Sequence, residues 1–397
     1  MRKYVFLCIL PFIFSLYAAG ISDLEKKFIK GNIQDKTQAV KDASEQEGLK
    51  LSIRGIDFIL ENSSIAGDDR DFSALAVASL LNLPKDGTAL EKNFPAVTEK
   101  TVRLFEIFGD ETVRISIIDR FESLSNSKSF SKVLNMMNSC LKEPGENFNN
   151  SPVTKKTVEF LGDFGNGESF ILVYDLWKKN TCPDFSSEVE DALVSLASSN
   201  ITESIKLISS ITFGEIGDFF ELIDNSSKVS PDFKAEIAEN ALLATIHYME
   251  DESKGYGAGI SSAEGEKLAS IQLRLLNAVA RAKWTRGAAL SVRFFDIARD
   301  EYQKSYLNDD QFIQVIEDVA SLAAQNAAQT LSAYLAEINA DTEKNVVSAR
   351  NVVLAVINSL GELGDKTAFD NLLYVTYLNY TEDIKSAARN SLSKLKW

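Results

Sequence analysis

One five-residue pattern, apolar-Gly-acid-apolar-Gly, recurs at 161–165, 213–217 and 360–364. A shorter relative occupies 108–110 (Phe-Gly-Asp), and a fainter one 55–57 (Gly-Ile-Asp). The first glycines, Gly55, Gly109, Gly162, Gly214 and Gly361, are separated by 54, 53, 52 and 147 residues. The last gap is close to three times 49. A period of about 50 residues constrains the chain strongly, because it belongs to stacked repeats and not to one compact enzyme core.

The last copy shows what the pattern does locally. Val352, Val353, Val356, Ile357 and Leu360 keep helical spacing and form one apolar stripe. Gly361 and Gly364 follow it, where a C-cap favours glycine. Asp365 stands where an acid caps the next helix, and Phe369, Leu372, Leu373 and Val375 continue on it. Read this way, Gly109, Gly162, Gly165, Gly214, Gly217, Gly361 and Gly364 mark corners between helices. The first glycine of each copy would also let two helices approach closely.

Residues 348–365, with Arg350 and Leu360-Gly361-Glu362-Leu363-Gly364-Asp365, resemble the first helix and turn of a HEAT repeat. The likeness is good there, moderate near Leu161 and Phe213, and poor between about 250 and 345. It implies an all-α, right-handed α-solenoid of stacked helical hairpins, HEAT/armadillo-like, that works as a binding surface. It implies no reaction, since such folds host many functions.

Composition agrees with helix. Seven prolines in 397 residues leave long uninterrupted stretches, and no convincing run of alternating strand residues is present. A single core rarely grows to this size, whereas a repeat array buries each unit on its neighbours.

Residues 1–20 read as a secretory signal peptide: Arg2 and Lys3, an apolar run, then Ala18-Ala19-Gly20. The run is shorter than the ~20 residues of a spanning helix. The array would then comprise 21–250 and 266–397, parted by a flexible Gly/Ser-rich insertion at 251–265. Residues 21–50 look like a weak first helix capping it. Cleavage would move the net charge from −15 to −17, which repels nucleic acid. The expected location is the periplasm or envelope of a bacterium. Asn-x-Ser/Thr sequons, as at Asn62 and Asn200, leave a secreted protein open.

Chemistry-bearing residues are sparse. One histidine, His247, cannot complete a nucleophilic triad, and metal-ligand spacings are missing, so no catalytic residue, cofactor or metal is expected. Cys140 and Cys182 would form a disulfide in an oxidising compartment, or remain unrelated thiols.

Two surfaces stand out. Residues 267–299 carry six net positive charges, and Arg274/Arg281 and Arg286/Arg293 are each seven apart, on one helix face. They would dock an acidic partner or pair with acidic neighbouring repeats. Tyr374, Tyr377 and Tyr380, at three-residue spacing, suit an interface or cover the array end. The expected function is a non-enzymatic scaffold that binds another protein in the envelope. The alternatives are a structural or assembly component of a larger envelope machine, and an enzyme on a helical scaffold. An enzyme would need a pocket with perturbed carboxylates near the basic stretch.

Overall fold

The computed structural model describes residues 22–86, 90, 92, 94, 96–142, 152–251 and 260–396. The expected signal segment, most of the Gly-rich insertion and Trp397 lie outside them. The described residues form 20 α-helices and three short 3-10 turns, with no strand among them. The fold is all-α, and 81% of the described residues are helical. It divides into two compact units, Met1–Phe160 and Leu161–Trp397.

The first unit holds α1 (Asp23–Lys30), α2 (Ile33–Asp42), α3 (Glu45–Glu61), α4 (Ser63–Ala66), α5 (Arg70–Leu81), α6 (Val97–Ile107), α7 (Glu111–Ser123) and α8 (Phe130–Lys142). Residues 21–50, expected as one weak helix, contain α1, α2 and the start of α3. Ser22 and Asn32 cap the first two, and Ala39 and Val40 are fully buried. Glycine at 31 therefore separates two capped helices. The buried Lys36 ammonium donates to the Phe28 carbonyl at the end of α1 (2.5 Å) and lies 5.2 and 5.0 Å from the Phe28 and Phe58 rings. Burial lowers its pKa. Arg120 acts similarly on α5: its guanidinium donates to the Leu80 and Pro84 carbonyls (2.7 and 3.1 Å). Both cations satisfy backbone acceptors that a helix end leaves open.

The division falls within α9 (Pro152–Phe164). The second unit continues with α10 (Gly167–Lys178), α11 (Ser186–Ser199), α12 (Ile201–Ile208), α13 (Phe213–Asn225), α14 (Pro231–Glu250), α15 (Ser262–Arg281) and α16 (Ala288–Gln303). It ends with α17 (Asp309–Glu343), α18 (Arg350–Leu363), α19 (Phe369–Val375) and α20 (Glu382–Lys394). Of the expected insertion at 251–265, residues 262–265 belong to α15, where Gly265 is buried, and α14 and α15 pack on each other. Ala324 interrupts α17 with φ 37° and ψ −106°, a conformation a Cβ-bearing residue rarely takes, so α17 is two helical segments meeting at a break.

Helices in both units contact not only their neighbour but the next one along. In the first unit α3 meets α5, α5 meets α7 and α6 meets α8. In the second, α13 meets α15, α15 meets α17 and α18 meets α20. The recurring glycines sit in several of these contacts. A Cβ on Gly361 would lie 2.7 Å from Ser391 Cβ and 2.9 Å from its Cα, across α18–α20. A Cβ on Gly162 would lie 2.9 Å from both Ala192 Cα and Cβ, across α9–α11. Neither position has room for a side chain unless a backbone moves. Gly55 against Ser79 and Gly217 against Ile271 repeat the arrangement.

As corners the glycines differ from one another. Only Gly364 takes the left-handed C-cap conformation, at φ 67°. The copy at 213–217 begins a helix instead of ending one. Thr212 caps α13, its hydroxyl accepting from Glu215 N while the Glu215 carboxylate accepts from Thr212 N (2.8 Å). That capping box overrides the turn tendency of Gly214 and Gly217, which become the first turns of the helix. Gly109 lies between α6 and α7, and a Cβ there would meet nothing within 4 Å.

Candidate binding surface on the basic helices

α15 starts at a capping box, Ser261 with Glu264, and runs 20 residues. Leu268, Leu275, Leu276 and Val279 on its apolar face are buried. Arg274 and Arg281 emerge together toward α13. Arg274 donates to Glu221 (2.7 Å) and Arg281 to Asp224 (3.0 Å). In the 3-10 turn Thr285–Gly287, Arg286 reaches Glu236 (3.3 Å) and Glu239 (3.6 Å) on α14 and lies 5.1 Å from the Trp284 ring. The Trp284 indole also donates to Glu239 (2.7 Å). Arg293 on α16 forks onto both oxygens of Glu250, and Arg299 pairs with Glu337.

Each of the four predicted arginines thus has an acidic partner on a preceding helix, 43 to 57 residues back for the main hydrogen bonds. The positive run is one side of a charge seam. The pairs are substantially exposed, so each contributes little beyond register.

Between the Arg274–Glu221 and Arg281–Asp224 pairs lies a cavity of about 410 Å³, lined also by Phe220, Leu273, Asn277 and Gln314. The two amides reach inward to one buried carboxyl. Gln314 Nε2 donates to Asp318 Oδ1 (2.9 Å) and Asn277 Nδ2 to Oδ2 (3.4 Å). Burial pushes the Asp318 carboxyl up to about 6, against these hydrogen bonds and the Arg281 charge, with Glu317 adding to the rise. No sequence signal pointed to Asp318: its amide partners come from 41 residues earlier and from one turn back on its own helix. The cavity lining holds no histidine, cysteine or hydroxyl side chain to act as a nucleophile. Among the described residues no group of three metal-binding side chains converges.

The three tyrosines do not share one helix stripe, because α19 stops at Val375. Tyr374 donates to Glu343, Tyr380 donates to Asn339 (3.0 Å), and Tyr377 is 76% exposed. Val346 and Val347 follow α17 and are also exposed, Val347 to 92%. They line a cleft of about 210 Å³ with Tyr380, Val353 and Ile384.

Cys140 and Cys182 are free thiols. Burial pushes Cys140 up to about 11 and raises Cys182, so both stay protonated at neutral pH and are poor nucleophiles. His247 is exposed on α14. No described helix is long and apolar enough to cross a membrane.

No family model matches the chain, and no curated protein sequence matches it.

Proposed function

We propose that this chain is a non-enzymatic helical-repeat scaffold, a solenoid of stacked hairpins that is exported to the cell envelope and holds another protein on its surface. The observation that carries this reading is the contact of helix after helix with its second neighbour, with glycine at several of the closest approaches. Repeats that bury their faces on one another leave the outer faces for recognition. The exposed Val346, Val347, Tyr374 and Tyr377 are the apolar side chains a protein partner would cover. The arginine seam is internally neutralised and sets helix register, and a chain at −15 does not bind nucleic acid on this reading.

The test is gentle crosslinking and capture from native envelopes, with wild-type chain and a Val347→Asp/Tyr377→Asp variant as baits. A defined protein held by the wild type and lost by a normally helical variant supports the scaffold. Recovery of no protein by the wild type overturns it. Constitutive co-purification in fixed stoichiometry would favour the second reading, a structural component of a larger envelope assembly, for which Leu81, 70% exposed, is a further contact.

A further inference from the structure

The second unit holds a cleft that the scaffold reading does not use. It lies where the end of α12 and the start of α13 meet the last turns of α14, and its volume is about 350 Å³. That is near the lower end of the ~300–1,000 Å³ of small-molecule sites. One wall is an aromatic corner: the Phe213 and Tyr248 rings stand 5.4 Å apart at 55°. Ile208, Ile216 and Leu243 extend the apolar side. Ser209, Ser210, Asn240 and His247 also line it.

The polar groups have defined capacity. Ser209 and Ser210 donate their hydroxyl protons to the Ile205 and Leu207 carbonyls (3.0 and 2.8 Å), so each presents acceptor lone pairs. Asn240 uses one N–H on the Glu236 carbonyl (2.8 Å). His247 adds a ring nitrogen at the exposed rim. The lining contains no lysine or arginine, and its one carboxylate is Asp251. A phosphate or carboxylate ligand would meet no cation there and would oppose the chain's charge of −15. A flat aromatic ligand would fill the corner yet use none of the remaining serine, amide and imidazole capacity of the lining.

We propose that this cleft binds a neutral pyranose sugar. A pyranose has an apolar C–H face that carries slight positive charge and packs on the negative face of an aromatic ring. Its equatorial hydroxyls point outward as both donors and acceptors, which matches serine lone pairs, an amide and an imidazole around an apolar corner.

The full chain should be examined by saturation-transfer NMR and calorimetry with the methyl glycosides of glucose, galactose, mannose and N-acetylglucosamine. Glucuronate and p-cresol serve as the charged and flat aromatic controls. At least one neutral glycoside should bind, receiving saturation mainly on one C–H face, and glucuronate should bind more weakly than glucose. Tyr248→Ala should weaken binding about tenfold, the value of one ring contact, while Tyr248→Phe should stay within about threefold. No transfer to any glycoside at millimolar concentration overturns the proposal. So does binding of p-cresol alone, or glycoside binding unchanged in both Tyr248→Ala and Phe213→Ala. The partner capture depends on Val347 and Tyr377, so either reading can fail without the other.

Discussion

The segments 213–217 and 360–364 share one pattern and sit at opposite ends of their helices. At 360–364 the glycines close α18, with Gly364 in the left-handed cap and Asp365 accepting from Thr367 N (2.9 Å) to start a 3-10 turn. At 213–217 they open α13 behind the Thr212–Glu215 box. Lys178 pairs with Glu215 and, with the Thr212 cap, holds its carboxyl below the usual range. What both segments keep is a glycine pressed against the helix two along: Gly361 on Ser391, and Gly217 on Ile271. The pattern encodes a helix contact, and the flanking caps decide which helix end carries it.

The largest effect should come from filling the tighter contact. Gly361→Ala drives a Cβ into Ser391, whose Cα belongs to the backbone, and should destabilise the second unit by about 2–3 kcal/mol in chemical denaturation. At Gly214, by contrast, a Cβ meets only the flexible end of Lys267, at 3.3 Å, so Gly214→Ala should stabilise by up to about 1 kcal/mol. Equal effects at the two glycines would break the comparison.

The contacts should also differ in pH response, since the buried Asp318 carboxyl is bonded to Asn277 on α15. Asp318 has its pKa raised to about 6 in the folded state, above the ~3.9 of an unfolded aspartate. Between those values this site binds more protons in the native chain, so its contribution to stability falls as pH rises from about 4 to 6, by ~3 kcal/mol, and then levels off. Asp318→Asn should flatten that slope. An unchanged pH profile in the variant would remove Asp318 from the account.

Smaller effects probe the cap and the seam. Thr212→Ala should cost about 1 kcal/mol and fray the start of α13 in hydrogen exchange. Arg281→Ala should cost about 0.5 kcal/mol, less still in high salt, because the pair is exposed. A larger, salt-insensitive loss would show that the seam does more than set register.

Much of the helical layout was legible. The 352–360 stripe and Asp365 as a cap are local signals, and each lies where local chemistry puts it. The Thr212-x-x-Glu215 box is equally local, and it outweighs the turn tendency of Gly214 and Gly217. Other features needed three dimensions. The acidic mates of Arg274 and Arg281 lie more than 50 residues away, and the three-residue tyrosine spacing continued past a helix that ends at Val375. Ala324 reads as an ideal helix interior, and the helix nevertheless breaks there.

The central claim is that the recurring glycine is there for the helix opposite it. A double-mutant cycle of Gly361→Ala with Ser391→Gly tests it, because the second change removes the Cβ and hydroxyl that the first one strikes. The account predicts that Ser391→Gly relieves at least about 1 kcal/mol of the loss caused by Gly361→Ala. Strictly additive losses would contradict it.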